Sequence, residues 1–219
     1  MEELIHLKKS LDSERPVSWA EFPDIGLYKD QVVSYLQRQL INFEGDGQIT
    51  SAMINNYIKD KLLPRADGKK YSREHLAGLT EIGLLKQVLS VRDTGFLLQK
   101  ELGTGRPDEF YEKFRTILDE ELSDTAGFID QDWEIDSLPE VALRLAISSY
   151  CSKLAGERLL EIIRNKEADT EQKKPDKKTD AKGGKMEEKV PDKKDGTKPD
   201  TKPGAKPGTK PGKGTDSQG

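Results

Sequence analysis

One cysteine, two histidines and two tryptophans are all that the 219 residues hold of the scarcer reactive and aromatic side chains. Cys151 alone cannot close an intramolecular disulfide, and one cysteine with His6 and His75 is no zinc set of the usual type. No run approaches the roughly 18 apolar residues that a membrane span needs. The start Met1-Glu2-Glu3 is acidic and has no apolar signal-peptide core. These absences predict a soluble cytoplasmic protein without a membrane partner. Phosphate-cradling motifs are missing too: Gly103-Thr104-Gly105 is short and follows no strand. His75 comes with no serine or cysteine nucleophile motif. The expectation is no enzyme, no catalytic residue, no metal and no cofactor.

Apolar side chains are scarcest at the C-terminus. The 51 residues from Asp169 onward hold 6 of the 11 prolines, and their only members of the hydrophobic class are Ala181, Met186, Val190 and Ala205. Such a segment cannot bury enough surface to offset its ordering entropy, so 169–219 is predicted to be a disordered tail. It ends in four copies of a [Thr/Ala]-Lys-Pro-[Asp/Gly] unit, a low-complexity pattern. The 14 lysines of the tail face 10 acids, whereas the remaining 168 residues carry 22 basic and 30 acidic side chains. A body with that acidic excess is no general nucleic-acid binder, and any contact with DNA must come from a local patch.

What is present is helical periodicity. The spacing predicts a short helix over 2–13, then an extended lead-in up to Gly26 in which Trp19 and Phe22 pack on the body. Further helices are predicted over 27–42, 51–62 with Thr50 as N-cap, 73–89 capped by Ser72, 91–101 capped by Ser90, and 107–123 opened by Pro107. Asp67-Gly68 marks a tight turn between the helices over 51–62 and 73–89. Residues 124–137 read as a loop. A last helix over 139–167 carries the stripe Val141, Leu145, Ser148, Ser152, Ala155, Leu159 and Ile162, whose small central residues suit close helix packing. Cys151 reads as a small buried packing residue of this helix. The chain divides into 1–26, a unit over 27–102, C-terminal helices over 107–168, and the tail.

The helix over 51–62 has the make-up of a groove reader. Ile54, Tyr57, Ile58 and Leu62 form its apolar stripe, while Ser51, Asn55, Asn56 and Lys59 share the other face. Asparagine can bond the N6 and N7 edge of adenine together, and lysine reaches phosphate or guanine. Lys61, Arg65, Lys69, Lys70 and Arg73 follow. From Tyr57 to His75 there are six Lys or Arg against three acids, a concentration of cations that phosphate positioning requires.

Two resemblances rest on this stretch. The segments Met53-Ile54-Asn55-Asn56-Tyr57-Ile58-Lys59-Asp60-Lys61-Leu62-Leu63-Pro64 and Lys70-Tyr71-Ser72-Arg73-Glu74-His75-Leu76 resemble the N-terminal winged helix-turn-helix of MerR-type transcription regulators. In that family a Leu-Leu/Ile-Pro step ends the recognition helix, a wing follows, and a Tyr-Ser segment opens the next helix. The resemblance implies an all-α, MerR-like winged fold, double-stranded DNA as partner, and dimerisation through the C-terminal helix, here 139–167. The connection over 43–50 is longer than that family's tight turn, and Asn-Asn-Tyr stands where Arg-Tyr-Tyr is usual. Second, Trp19, Pro23-Asp24-Ile25, Leu27-Tyr28, Asp30-Gln31-Val32 and Met53-Ile54-Asn55-Asn56-Tyr57 resemble a bacterial family, mainly of Firmicutes, known only as a domain of unknown function, over about 19–120.

Other motifs carry less. Residues 42–53 mimic a calcium loop but put Met53 where a bidentate carboxylate is needed. Between Pro107 and Glu140 there are 12 acids against Lys113 and Arg115, which reads as a solvated face or as a surface docking a basic partner. The leading expectation is a dimeric DNA-binding transcriptional regulator. Its rival is a non-catalytic adaptor that uses the acidic C-terminal helices, and a small-metabolite sensor is the third reading.

Overall fold

Helix α4, Arg73–Leu85, is the element that the others enclose: eight of its residues, His75 to Ala77 and Leu79 to Gly83, are buried. The computed structural model describes residues 2–39, 41, 49–103, 105–130 and 132–172. Among them lie seven α-helices and no strand, so the all-α expectation holds. The others are α1 Glu2–Ser13, α2 Lys29–Leu36, α3 Ser51–Lys59, α5 Val91–Leu102, α6 Pro107–Phe128 and α7 Leu138–Gln172. Met1–Lys174 form one compact unit. Residues 169–172, expected to open the disordered tail, continue α7, while the tail from 173 onward and positions 42–48 of the calcium-loop mimic lie outside the described residues.

Leu76, Leu79 and Ile82 of α4 pack with Val32 and Leu36 of α2, Ile54 and Tyr57 of α3, Leu98 of α5 and Tyr111 of α6 in one cluster. Leu63 enters this cluster over α4, where a Cβ on Gly78 would come within 2.8 Å of the leucine methyl. A side chain there would push the α3–α4 connection off the core.

The lead-in and α6 are sewn together. Trp19–Glu21 is a 3-10 turn, where an extended segment was expected, because Glu21 accepts the Ser18 amide at 2.7 Å and closes the turn. Phe22 lies 5.0 Å from the Tyr111 ring, and the Tyr111 hydroxyl donates to the Val17 carbonyl at 2.9 Å. Arg115 Nε donates to the Pro16 carbonyl, and the Trp19 amide donates to Glu112. Residues 103–106 therefore join two parts of one core.

Helix ends differ from the periodicity for local reasons. Helix α2 stops at Leu36 because 38 and 39 bond back three residues, to Tyr35 and Leu36, and Gln39 turns inward to accept the Val17 amide. Three-residue bonds from Gln87 and Val88 likewise unwind α4 after Leu85. Helix α6 runs on to Phe128, through residues expected to be loop. There Ala126 and Ile129 are buried, and their carbonyls accept Lys8 Nζ of α1 at 2.6 and 2.7 Å.

One core group is out of character. Glu81 is 2% exposed. Burial alone pushes its carboxyl from the ordinary 4.5 up to about 8. The folded chain thus keeps a proton that the unfolded chain sheds across this window, so stability falls as pH rises from 4.5 to about 8. The slope reaches at most about 1.4 kcal/mol per pH unit. Glu81→Gln is expected to flatten this slope and to be the more stable protein at the alkaline end. Urea unfolding at pH 5 and pH 8 checks it, and equal slopes in both proteins would refute it.

Candidate nucleic-acid interface

Helix α3 is set on the core by its stripe and capped as its sequence predicts: the Thr50 hydroxyl accepts the Met53 amide at 3.3 Å. Ile54 and Tyr57 are buried, and Met53 and Ile58 pack beside them. Ser51, Asn55, Asn56 and Lys59 are all exposed. The division of faces read from the spacing is therefore the one observed.

The helix ends at Lys59, three residues before its predicted end. The Leu62 amide bonds back to the Tyr57 carbonyl at 2.8 Å and the Lys61 amide to Ile58 at 3.2 Å. That pattern closes a Schellman cap and sets Lys61 at φ 62°, the left-handed region where glycine is the usual residue. The next turn is tight. Asp67 and Lys70 exchange both backbone bonds, at 2.9 and 3.1 Å, around Gly68 at φ 59°. Leu27 and Tyr71 exchange a second pair, at 2.9 and 2.8 Å, so the lead-in forms the far side of the turn. The expected two-stranded wing is reduced to these two isolated bridges. Arg65, Lys69 and Lys70 are exposed on the turn.

Two predicted site residues are engaged elsewhere. Arg73 donates Nε to the Phe22 carbonyl at 3.0 Å and pairs with Asp24, so it braces the lead-in against α4. Asn55 Oδ1 accepts Lys29 Nζ at 2.5 Å. Lys29 is a cation of this surface that sequence reasoning missed. It lies 26 positions from Asn55, and nothing local in the chain signals the pairing. His75, by contrast, is the helix cap its context suggested: Nδ1 accepts the Ser72 amide at 3.1 Å. That bond leaves the proton on Nε2, which is buried and has no partner.

The C-terminal helices hold other surfaces. The acids of α6 are partly neutralised, Asp119 by Arg15, Glu112 by Arg115 and Glu101 of α5 by Lys113. Among the described residues no group of three or more His, Cys, Asp or Glu could hold a metal ion, and no helix is long and apolar enough to cross a membrane. Helix α7 touches the body through its second half, where Leu160 is buried, Arg164 pairs with Asp93 and Lys100 with Glu167. Its first half stands free. Leu143, Leu145, Ile147, Tyr150 and Leu154 are exposed. Cys151 is exposed with them, contrary to the buried packing expected of it, because none of the described elements covers this part of the helix.

No curated protein and no solved structure matches the chain. The core cluster, counting its partly buried members, begins at Val17 and ends at Phe114. The same stretch, residues 17–114, is where a family model matches: it carries a domain of unknown function, DUF1836.

Proposed function

We propose that α2 to α5 form a winged helix-turn-helix, MerR-like in its order of elements, and that the protein is a transcriptional regulator that binds double-stranded DNA. The observation that carries this reading is the exposed face of α3. Ser51, Asn55, Asn56 and Lys59 stand free of the core, and Arg65, Lys69 and Lys70 lie exposed on the turn that follows. The face supplies short hydrogen-bonding groups for base edges, and the turn supplies cations for phosphate. Lys29 joins the cations, and on DNA it exchanges Asn55 for a phosphate oxygen, which frees the amide to read a base. Arg73 positions the lead-in and contributes little to affinity directly.

Helix α7 supports a dimer as the binding form. Between Leu138 and Ala155 it has only three charged residues, Glu140, Arg144 and Lys153. A helix apolar on more than one face belongs in a buried setting. Leu143, Ile147, Tyr150 and Leu154 follow a 4-3-4 spacing that reads the same in both directions, so a second copy can lie antiparallel on it. The adaptor reading draws on this same apolar surface more than on the acidic face of α6, some of whose charges are paired within the chain.

Two measurements test the proposal. In mobility-shift assays, Asn55→Ala with Asn56→Ala is expected to remove about 1–3 kcal/mol of discrimination between sequences. Lys69→Gln with Lys70→Gln is expected to weaken binding to every duplex and to lower the salt slope by about 2. No binding to any duplex at low salt overturns the DNA reading. In light scattering, the native chain is expected to be a dimer and Ile147→Glu with Leu154→Glu a monomer. A native monomer overturns the second part while leaving the first standing.

A further inference from the structure

A groove opens beside the cap of α3. It measures about 950 Å³ and runs along α5, between the Asp60–Leu62 turn and Arg164 of α7. That size matches pockets that take drug-sized molecules. Leu62, Phe96, Leu98 and Leu102 give it an apolar floor. Lys61, Arg92 and Arg164 give it three cations against one acid, Asp60.

The three cations differ in how they are held. Arg164 is fixed: it pairs with Asp93 at 2.5 Å, and its guanidinium lies 4.4 Å from the centre of the Phe96 ring. Lys61 and Arg92 are in no salt bridge among the described residues, though the Arg92 charge contributes weakly to holding the Asp93 carboxyl down. Lys61 also occupies the left-handed position of the α3 cap, where glycine carries no strain. A lysine kept there despite the strain, with its side chain lining a groove, points to use of that side chain.

We propose that this groove binds a small organic anion, a flat or branched apolar body bearing a carboxylate. Lys61 and Arg92 take the carboxylate, and Phe96 with Leu62 covers the body. An anion fits better than a neutral molecule, because two cations in no salt bridge stand beside the apolar floor and can form charge-assisted bonds. The proposal reassigns Lys61 from phosphate contact to ligand contact. It does not depend on whether the protein binds DNA.

The probe is 2-naphthoate, with 2-naphthalenemethanol as its neutral counterpart, titrated into the full chain and followed by backbone amide NMR. Saturable shifts are expected at Leu62, Gly95, Phe96 and Arg164, with the neutral probe binding at least about tenfold more weakly. Lys61→Gln with Arg92→Gln is expected to bring naphthoate down to the level of the neutral probe while leaving the circular dichroism spectrum unchanged. Three results overturn the proposal: no saturation below about 10 mM, shifts confined to residues 138–155 of α7, or equal affinity for the two probes. Should the double variant unfold, Lys61→Gly, which relieves the cap and removes the whole side chain with its charge, is expected to weaken naphthoate by at least about threefold. Unchanged naphthoate affinity in Lys61→Gly also overturns it.

Discussion

Everything in the described unit is arranged around the burial of α4. A helix enclosed on nearly every side must be covered by several partners, and this chain uses α2, α3, α5 and α6 with the aromatic lead-in. That enclosure fixes α3 against the core by Ile54 and Tyr57 and turns its polar face outward. It also explains how one core can hold Glu81, Thr80 and His75. Thr80 bonds the Leu76 carbonyl of its own helix and His75 caps the helix, but Glu81 has only a proton with which to neutralise itself. The core thereby couples stability to pH through a buried side chain.

The legible part of the fold was the part governed by period. Stripes such as Ile54, Tyr57 and Leu76, Leu79, Ile82 announce both the helix and its buried face, because tertiary burial repeats every turn. Helix ends were less legible, since they depend on bonds that no stripe encodes. The Lys61 cap, the three-residue bonds after Tyr35 and the Lys8 hold on the end of α6 are such cases. The continuation of α6 past Ser123 was obscured by acids that suggest a loop, and its buried Ala126 is too small to mark a stripe. For the candidate site, the exposure of Ser51, Asn55, Asn56 and Lys59 could be read ahead of the structure. The Asp24 partner of Arg73 and the Lys29 partner of Asn55 could not, because each joins residues far apart in sequence.

Charge and hydrophobicity place the two ends of the unit under different constraints. The α3 side has a local cationic surplus within an acidic body, so its field is short-ranged and attracts phosphate only where the acids lie outside a screening length. Much of the acidity sits on α6 and on 130–140, toward α7, and the internal pairs of Arg15, Arg115 and Lys113 dilute it further. The α7 side is nearly uncharged for 18 residues. An apolar, weakly charged helix in water favours association, whereas a cationic turn favours a polyanion. The two preferences do not compete, because they reside on different elements.

Helix α5 is then the element through which these ends communicate. Its N-terminus is capped by Ser90 through the Asp93 amide, and the Asp93 carboxylate also holds Arg164 of α7. The Ser90 hydroxyl and the Arg164 guanidinium together hold the Asp93 carboxyl below its ordinary range. The floor of α5 meanwhile supports Leu62, which follows the strained Lys61 at the end of α3. A displacement of α7 must therefore either break the Asp93–Arg164 and Lys100–Glu167 pairs or carry α5 with it, and Leu62, which packs at Gly95 of α5, ties that motion to the cap that ends α3. Partly exposed ion pairs contribute little to stability. A latch made of two such pairs can hold the geometry of α7 relative to α3 and still open at low cost, whereas the apolar core beneath it cannot.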